Sequence, residues 1–190
     1  VAIPEPISYN DFESTITAAP GKVFQLFGQG GLAINAAVNG WVLLFAKTAE
    51  GTPLAFLCAA NPETLLFGEP EPTLGLRAMP VCPVKAEGQE VPETNLIAQG
   101  HGALSFYRSL VSSLCMVTAA ASCGLMNSVL KKALKYAAER YQGGRMIIDH
   151  SHIRNILGRM RADATASWGA VSHLAAVEHD PVSALATKVS

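Results

Sequence analysis

The sequence predicts an α+β protein, with a small antiparallel β-barrel followed by long antiparallel helices of an incomplete four-helix bundle. Ten of the 11 prolines precede residue 100, where short apolar runs alternate with turn residues. After residue 100 the only proline is Pro181, and the chain is rich in Ala, Leu, Met, Lys and Arg, most of which favour helices. We therefore predict a β-domain over residues 1–100 and part of a helical-bundle domain over residues 101–190.

Five short apolar runs predict the strands. Each is bounded by Gly, Pro or Asn-rich segments, which is typical of strands joined by turns in a small barrel or sandwich. The runs are 23–27, 41–46, 54–59, 64–68 and 81–86. Pro83 lies in the last run, and because it cannot donate a hydrogen bond to a neighbouring strand, we expect it at an edge or a bulge.

Apolar residues at spacings of three and four predict one long helix from residue 104 to about 141 and a second from about 151 to 177. Asp180 and Pro181 fit the N-cap and first position of a third helix. The side chains expected to be buried are Leu110, Leu114, Val117, Ala121, Leu125, Val129 and Ala133 on the first helix, and Ile153, Ile156, Leu157, Met160 and Leu174 on the second. Two helices and part of a third leave some of this stripe uncovered, so we expect a fragment of a longer protein or one part of an assembly.

Composition limits the classes of partner. Apolar residues make up 49% of the chain and charged residues 15%, so some apolar surface is expected to meet another protein. The formal net charge of -1, with dispersed basic residues, predicts no nucleic-acid binding. The longest apolar stretches, such as 114–126, fall short of the roughly 20 residues that cross a bilayer, which favours a buried helix without a membrane span.

The cysteines and the first residues indicate the compartment. Cys58, Cys82, Cys115 and Cys123 form no C-x-x-C pair and no metal-ligand set, so we predict four buried thiols in a reducing compartment and no metal site. The opening residues show no basic segment followed by an apolar one, so no signal peptide is expected. The predicted location is the cytoplasm, or the mitochondrial matrix in a eukaryote.

One stretch, 136-YAAERYQGGRMIIDHSHIRNIL-157, combines a helix end, a glycine pair and a histidine. We expect Gly143 and Gly144 to end the helix in a left-handed cap, directly after Arg140. A guanidinium beside a flexible backbone suits a diphosphate, because Arg offers a planar fork of donors. The alternative is an ordinary helix cap with solvated arginines and with His150 as a capping or core residue, and the residues alone leave both open.

Other motifs are weaker. The glycines of 28-GQGGLAINAAVNG-40 can let backbone N–H groups approach a phosphate, but they lack the spacing of a known nucleotide-binding loop. The stretch 4-PEPISYND-11 is typical of a turn. No Ser-His-Asp order, catalytic carboxylate pair or metal cluster stands out.

Five segments, taken in order, resemble the acyl-CoA dehydrogenase family, from the start of its middle β-domain to partway through its C-terminal helical domain. They are 41-WVLLFAKT-48, 66-LFGEPEPTLGLRAMP-80, 91-VPETNLI-97, 134-LKYAAERYQGGRMIIDHSHIRNILGRM-160 and 183-SALATK-188. The fourth is the most specific, because it is similar to the family's helix ending in Glu-Arg, the glycine-containing loop and the acidic-His pair that follow.

The resemblance implies an FAD-dependent acyl-CoA dehydrogenase that removes the α and β hydrogens of an acyl-CoA thioester and passes electrons to an electron-transfer flavoprotein-like acceptor. It implies that Arg140, Gly143, Gly144 and His150 contact the FAD diphosphate and adenine across a subunit interface. The protein is then a homo-oligomer or a hetero-oligomer with a related chain.

The departures from the family pattern fall on the flavin and substrate side. Leu32 and Ile34 align with the Trp and Thr that contact the isoalloxazine in the family. Asn10 replaces the Ser of the segment that touches flavin and substrate, and Ser112 stands at a position that many members use for CoA or substrate.

The catalytic base is not identified. The helix position that carries a Glu in one group of the family is Leu114 here, so we name no catalytic residue. The alternatives are a non-catalytic subunit that pairs with an active homologue, and a flavin monooxygenase of the same fold.

Overall fold

The computed structural model describes residues 16–19, 21, 23–35 and 40–177. The chain divides into two compact units, residues 1–111 and 112–190. The first unit carries a β-sheet and the start of a long helix, α1 (His101–Glu139), and the second carries the rest of α1, a short hairpin and α2 (Ser151–Val177). The predicted α+β class is confirmed.

The sheet of the first unit has seven strands. They are β1 (Thr17–Ala19), β2 (Val23–Ile34), β3 (Trp41–Lys47), β4 (Pro53–Ala59), β5 (Leu65–Phe67), β6 (Val81–Pro92) and β7 (Leu96–Gln99). The hydrogen-bonded order is β5-β6-β2-β1-β3-β4-β7, and every neighbouring pair is antiparallel except β1 with β3. All five predicted strands are present, while β1 and β7 were not predicted.

Alternation along the strands builds the core of this unit. The buried face carries Phe24 and Leu26 of β2, Leu44 of β3 and Phe56 of β4. The residues that alternate with Phe24 and Leu26 along β2 are exposed to solvent. Phe24 and Phe56 pack with their ring centroids 5.1 Å apart. Burial of this continuous apolar face stabilises the sheet by the hydrophobic effect.

Strands β3 and β4 are buried on both faces, because the first turns of α1 cover the second face. Phe45 points away from the main cluster, and its ring meets that of Tyr107 edge-on at 5.2 Å. Opposite Phe45 in the ladder stands Ala55, which is fully buried together with Ala103 of α1.

The glycine-rich part of β2 forms a bulge instead of a phosphate loop. Gln29 pairs with Lys85 and Leu32 with Pro83, so two glycines of β2 face one residue of β6. Pro83 therefore lies at a bulge, as predicted, and its missing N–H leaves no gap in a regular ladder. The glycine is required at residue 30, where an added Cβ would stand 2.7 Å from Cγ1 of Val84.

In the second unit, the buried positions recur every seven residues. On α1 they are Cys123, Leu130 and Ala137, and on α2 they are Leu157 and Ala164. This spacing is typical of a narrow seam between two antiparallel helices. The predicted bounds of α2, residues 151 to 177, are confirmed, and α1 was predicted to begin three residues late and end about two late.

The predicted buried stripe on these helices was partly wrong. Val117, Ala121, Leu125 and Val129 on α1 are exposed, as are Ile156 and Leu174 on α2, and Leu157 alone of the predicted residues is buried. A pair of helices covers only one seam of each, so the broad stripe typical of a larger bundle stays uncovered among the described residues. The third helix predicted at Asp180 and Pro181 lies outside the described residues.

The exposed apolar surface also changes the interpretation of α1. An 18-residue window of this helix has a mean hydropathy of 1.6 and is 11% buried, so the stretch predicted as a buried helix is mostly exposed here. By length and composition alone α1 is able to cross a bilayer. The first turns of α1 lie in the core of the β unit, and core helices of soluble proteins are often as long and as apolar. The length and composition of α1 are therefore weak support for a membrane span.

Three of the four cysteines are buried, as predicted. Cys58 donates a hydrogen bond to the carbonyl oxygen of Val42, and burial raises the pKa of its thiol to about 11. Cys58 is therefore a neutral core thiol at physiological pH. The prediction was wrong for Cys115, which is exposed on α1.

Gly30→Ala is expected to lower the free energy of unfolding by about 1–3 kcal/mol, because the new methyl group overpacks the bulge. The group would lie against the buried side chains of Val84 and Ile16, and the β-branched Val84 has little room to rotate. Gly40→Ala is the control, since no atom lies within 4 Å of its Cβ position. Chemical denaturation measures both, and equal midpoints for the two variants would contradict the packing role.

Candidate functional site

A tight β-hairpin joins the two helices of the second unit. Helix α1 ends at Glu139, and the strands β8 (Tyr141–Gln142) and β9 (Arg145–Met146) then pair antiparallel. The N–H of Ile147 donates to the carbonyl oxygen of Arg140 at 2.8 Å, which extends the ladder by one step. A short 3₁₀ turn (Ile147–Asp149) leads into α2.

Gly143 and Gly144 form the two-residue loop of this hairpin. Their φ values are 65° and 80°, and positive φ at both central residues is typical of a type I′ turn, which matches the twist of the flanking strands. The left-handed conformation was predicted, but its setting was wrong. The glycines turn a β-hairpin instead of capping the helix, because the chain leaves the helix before Arg140 and pairs with itself.

The ring of His150 packs against the turn. A Cβ added at Gly143 would lie 3.2 Å from Cε1 of His150, so the ring occupies the space where a side chain would otherwise start. Nε2 of His150 lies 2.9 Å from the carbonyl oxygen of Gln142. On the other side of the ring, Nε and Nη2 of Arg145 lie 3.4 and 3.3 Å from Nδ1.

These partners fix the hydrogen-bonding roles of both ring nitrogens. A carbonyl oxygen only accepts, so Nε2 of His150 carries the proton and donates to Gln142. A guanidinium only donates, so Nδ1 accepts from Arg145. The imidazole is then a neutral bridge between the hairpin and the start of α2, and both of its nitrogens are used within this chain.

Arg140 presents a cation at the base of the hairpin. Its side chain is exposed, and within the described ranges its guanidinium has no recorded hydrogen bond or ion pair. The nearest recorded ion pair joins Lys135 to Glu139 at 4.0 Å, on the exposed last turns of α1. All donors of the Arg140 fork are thus available to an anion.

The structure brings together four of the predicted site residues. Arg140, Gly143, Gly144 and His150 share the hairpin. Sequence reasoning missed the bond from Arg145 to His150. A Gly-Gly pair between Tyr-Gln and Arg-Met is a hairpin signal that predicts such cross-strand neighbours.

Leu32 and Ile34 lie at the end of β2 in the first unit, both partly buried. The next residue, Asn35, has a φ of 55° and donates its backbone N–H to the carbonyl oxygen of Pro80 at 2.7 Å. This bond joins the strand end to the 70–80 loop, where a shallow cleft of about 400 Å³ lies beside Arg77 and Met79. The side chains of Leu32 and Ile34 offer no hydrogen-bond donor.

The remaining predicted residues add no catalytic group. Ser112 lies partly buried on α1, and Asn10 lies outside the described residues. Within the described ranges no group of three or more His, Cys, Asp or Glu side chains is placed to hold a metal ion. The chemistry that the described site supports is recognition of an anion by guanidinium groups beside a glycine turn.

Comparison with known proteins shows which family the chain resembles. Residues 112–190 match the family model described as acyl-CoA dehydrogenase, C-terminal domain. The chain is 33% identical to the short/branched chain specific acyl-CoA dehydrogenase, mitochondrial, of Bos taurus. The aligned 116 residues cover 59% of this chain and 26% of that protein. The chain therefore resembles the acyl-CoA dehydrogenase family, and residues 112–190 match its C-terminal domain.

Solved structures of the family share the fold. The butyryl-CoA dehydrogenase of Megasphaera elsdenii matches with a TM-score of 0.77 at 18% identity, over 92% of this chain and 48% of that one. The acyl-CoA dehydrogenase of Bacillus anthracis complexed with FAD matches with a TM-score of 0.74 at 20% identity, over 90% of this chain and 30% of that one. The chain thus spans about a quarter to a half of the length of these relatives, and at such identities the likeness to structures establishes the fold alone.

Gly143→Ala and Gly144→Ala separate backbone strain from the His150 contact in this hairpin. Both substitutions place a side chain at positive φ, which costs about 1–2 kcal/mol per residue. Only Gly143→Ala also presses on His150, because nothing lies within 4 Å of the Cβ position at Gly144. We expect the ring resonances of His150 to shift in Gly143→Ala and to stay near their native values in Gly144→Ala, as measured by NMR. Identical spectra for the two variants would contradict the packing of His150 on Gly143.

Proposed function

We propose that this chain is part of an FAD-dependent acyl-CoA dehydrogenase and that its hairpin binds the FAD diphosphate. The observation that carries the proposal is the exposed Arg140 guanidinium at the base of a glycine turn, in a chain of this family. A bidentate guanidinium bond to a phosphate is both charge-assisted and directional. The protein would be an oligomer in which the hairpin serves the FAD of a neighbouring subunit.

The donor set fits the diphosphate part of FAD. The diphosphate carries negative charge, and the exposed face of the hairpin offers cations with no carboxylate partner among the recorded ion pairs. The flavin ring finds less in the described residues, because Leu32 and Ile34 offer only apolar contact. When bound, FAD supplies the acceptor for a hydride, and acyl-CoA would be the substrate that is α,β-dehydrogenated.

Gly143 and His150 would hold the hairpin in the shape that binds the anion. The glycine leaves room for the imidazole, and the imidazole ties the turn to His150, the residue directly before α2. A hairpin held in this way loses little conformational freedom when an anion binds. In this proposal, electrons leave to an electron-transfer flavoprotein-like acceptor, and the compartment is the cytoplasm or the mitochondrial matrix.

A non-catalytic family subunit is the second candidate, and the apolar pair Leu32 and Ile34 favours it. Such a subunit would lend Arg140 to the FAD of an active homologue. A flavin monooxygenase of the same fold is the third. The three differ in whether the purified protein carries flavin and in which compound reduces that flavin.

Arg140→Ala is expected to weaken FAD binding by about 10–100-fold, because one charge-assisted bidentate contact is lost. Flavin absorbance of the intact purified protein after dialysis measures retention, and Arg161→Ala, an exposed arginine of α2, is the control. Flavin content equal to that of the control would refute the role of Arg140.

The activity is tested in the same preparation under anaerobic conditions. Bleaching of the flavin by an acyl-CoA supports the dehydrogenase. Flavin that no acyl-CoA reduces argues against it, and a colourless protein that purifies with a homologous chain supports the non-catalytic subunit instead.

A further inference from the structure

We propose that Arg145 is a second anion-binding cation of the hairpin and that His150 is its positioning residue. This inference rests on the proposed function, since it names a further contact of the same site. Two observations support it: the register of the hairpin and the contacts of the imidazole. Neither observation requires Arg140 itself to bind the anion.

The register places the two arginines on one face. Arg145 stands opposite Gln142, and the bond from Ile147 to Arg140 shows that Arg140 stands opposite Ile147, two residues further along the ladder. Side chains two residues apart on a strand point to the same side. Arg140 and Arg145 are therefore diagonal neighbours, which stand about 7–8 Å apart at their Cα atoms and lie within reach of long side chains.

The contact with His150 uses one edge of the Arg145 guanidinium. Nε and Nη2 point at Nδ1 of the ring, at 3.4 and 3.3 Å. A guanidinium has five N–H donors, so the edge formed by Nη1 and the second hydrogen of Nη2 remains for another acceptor. Arg145 is exposed, and no ion pair of its guanidinium is recorded in the described ranges.

His150 makes this orientation rigid. An exposed arginine ordinarily samples many rotamers, and holding it for a ligand costs conformational free energy. Here the imidazole is itself fixed, by its donation to Gln142 and by the turn at Gly143. The guanidinium is thus oriented before the ligand arrives, which is the general basis of preorganised binding.

Two guanidinium groups on one face suit a ligand with two adjacent anionic groups. A diphosphate has that property, whereas a single carboxylate engages one fork. Like charges placed side by side repel each other, so a dianion between them also relieves that repulsion. The ligand class is therefore a diphosphate, as in a dinucleotide.

The test uses inorganic pyrophosphate and the intact protein, at physiological ionic strength, with NMR of the Gly143 and Gly144 amides and the His150 ring. We expect saturable shifts at these groups, and an affinity about tenfold lower in Arg145→Met, which removes one charge-assisted contact. Arg161→Met is the control for lost charge and is expected to change the affinity by less than about twofold.

Variants at His150 test the positioning role. His150→Ala is expected to lower pyrophosphate affinity about threefold by freeing the Arg145 rotamers. His150→Gln supplies both a donor and an acceptor and is expected to recover most of that loss. In the native protein, long-range ¹⁵N spectra are expected to show a protonated Nε2 and an unprotonated Nδ1, and Arg145→Met is expected to change that ratio.

Two results would overturn the proposal: the same affinity in Arg145→Met as in Arg161→Met, or a ring protonated at Nδ1 alone. Failure of the proposed function looks different. A protein that binds pyrophosphate through both arginines but never FAD refutes the flavin role and leaves the cation pair standing. Full FAD retention in Arg145→Met refutes the pair and leaves the flavin role standing.

Discussion

The candidate site depends on one contact, that between the imidazole of His150 and the glycine turn. The ring lies 3.2 Å from where a Cβ of residue 143 would stand, and its two nitrogens face a carbonyl oxygen and a guanidinium. Three kinds of change would break this contact. A side chain at 143 displaces the ring, another ring tautomer loses both bonds, and a different turn moves Arg145 away from its position opposite Gln142.

A second constraint acts on the helices. The helices of the second unit bury few side chains, which on α1 recur every seven residues at Cys123, Leu130 and Ala137, while Val117 and Leu125 are exposed. The long helix has two roles, since its first turns complete the core of the β unit through Tyr107 and Phe45. The exposed apolar surface that remains is consistent with the oligomer proposed above.

Much of the fold follows from local patterns. The five strands and both helices were predicted because alternation and helical spacing are local signals, and the bounds of α2 agree to the residue. Strand β1 has three residues and β7 has four, too few for a periodic pattern, so they depend on pairing with distant strands. Which face of α1 is buried was partly mispredicted, because that is decided by the number of helices available to cover it.

The residues of the hairpin were named from the sequence, but their arrangement was not predicted. Arg140, Gly143, Gly144 and His150 were identified from the family resemblance, and the structure gathers them in one hairpin. The role of Arg145 arises from a cross-strand register and a ring contact, which sequence spacing does not specify. Leu32 and Ile34 show the reverse case, since their aligned positions suggest flavin contacts and their side chains supply no polar group.

The central claim is that this hairpin receives the diphosphate of a dinucleotide. A crystal structure of the intact protein with FAD tests it most directly. We expect phosphate oxygens within hydrogen-bond distance of the guanidinium groups of Arg140 and Arg145, with the ring of His150 still bonded to Gln142. A diphosphate bound elsewhere, with the hairpin open to solvent, would contradict it.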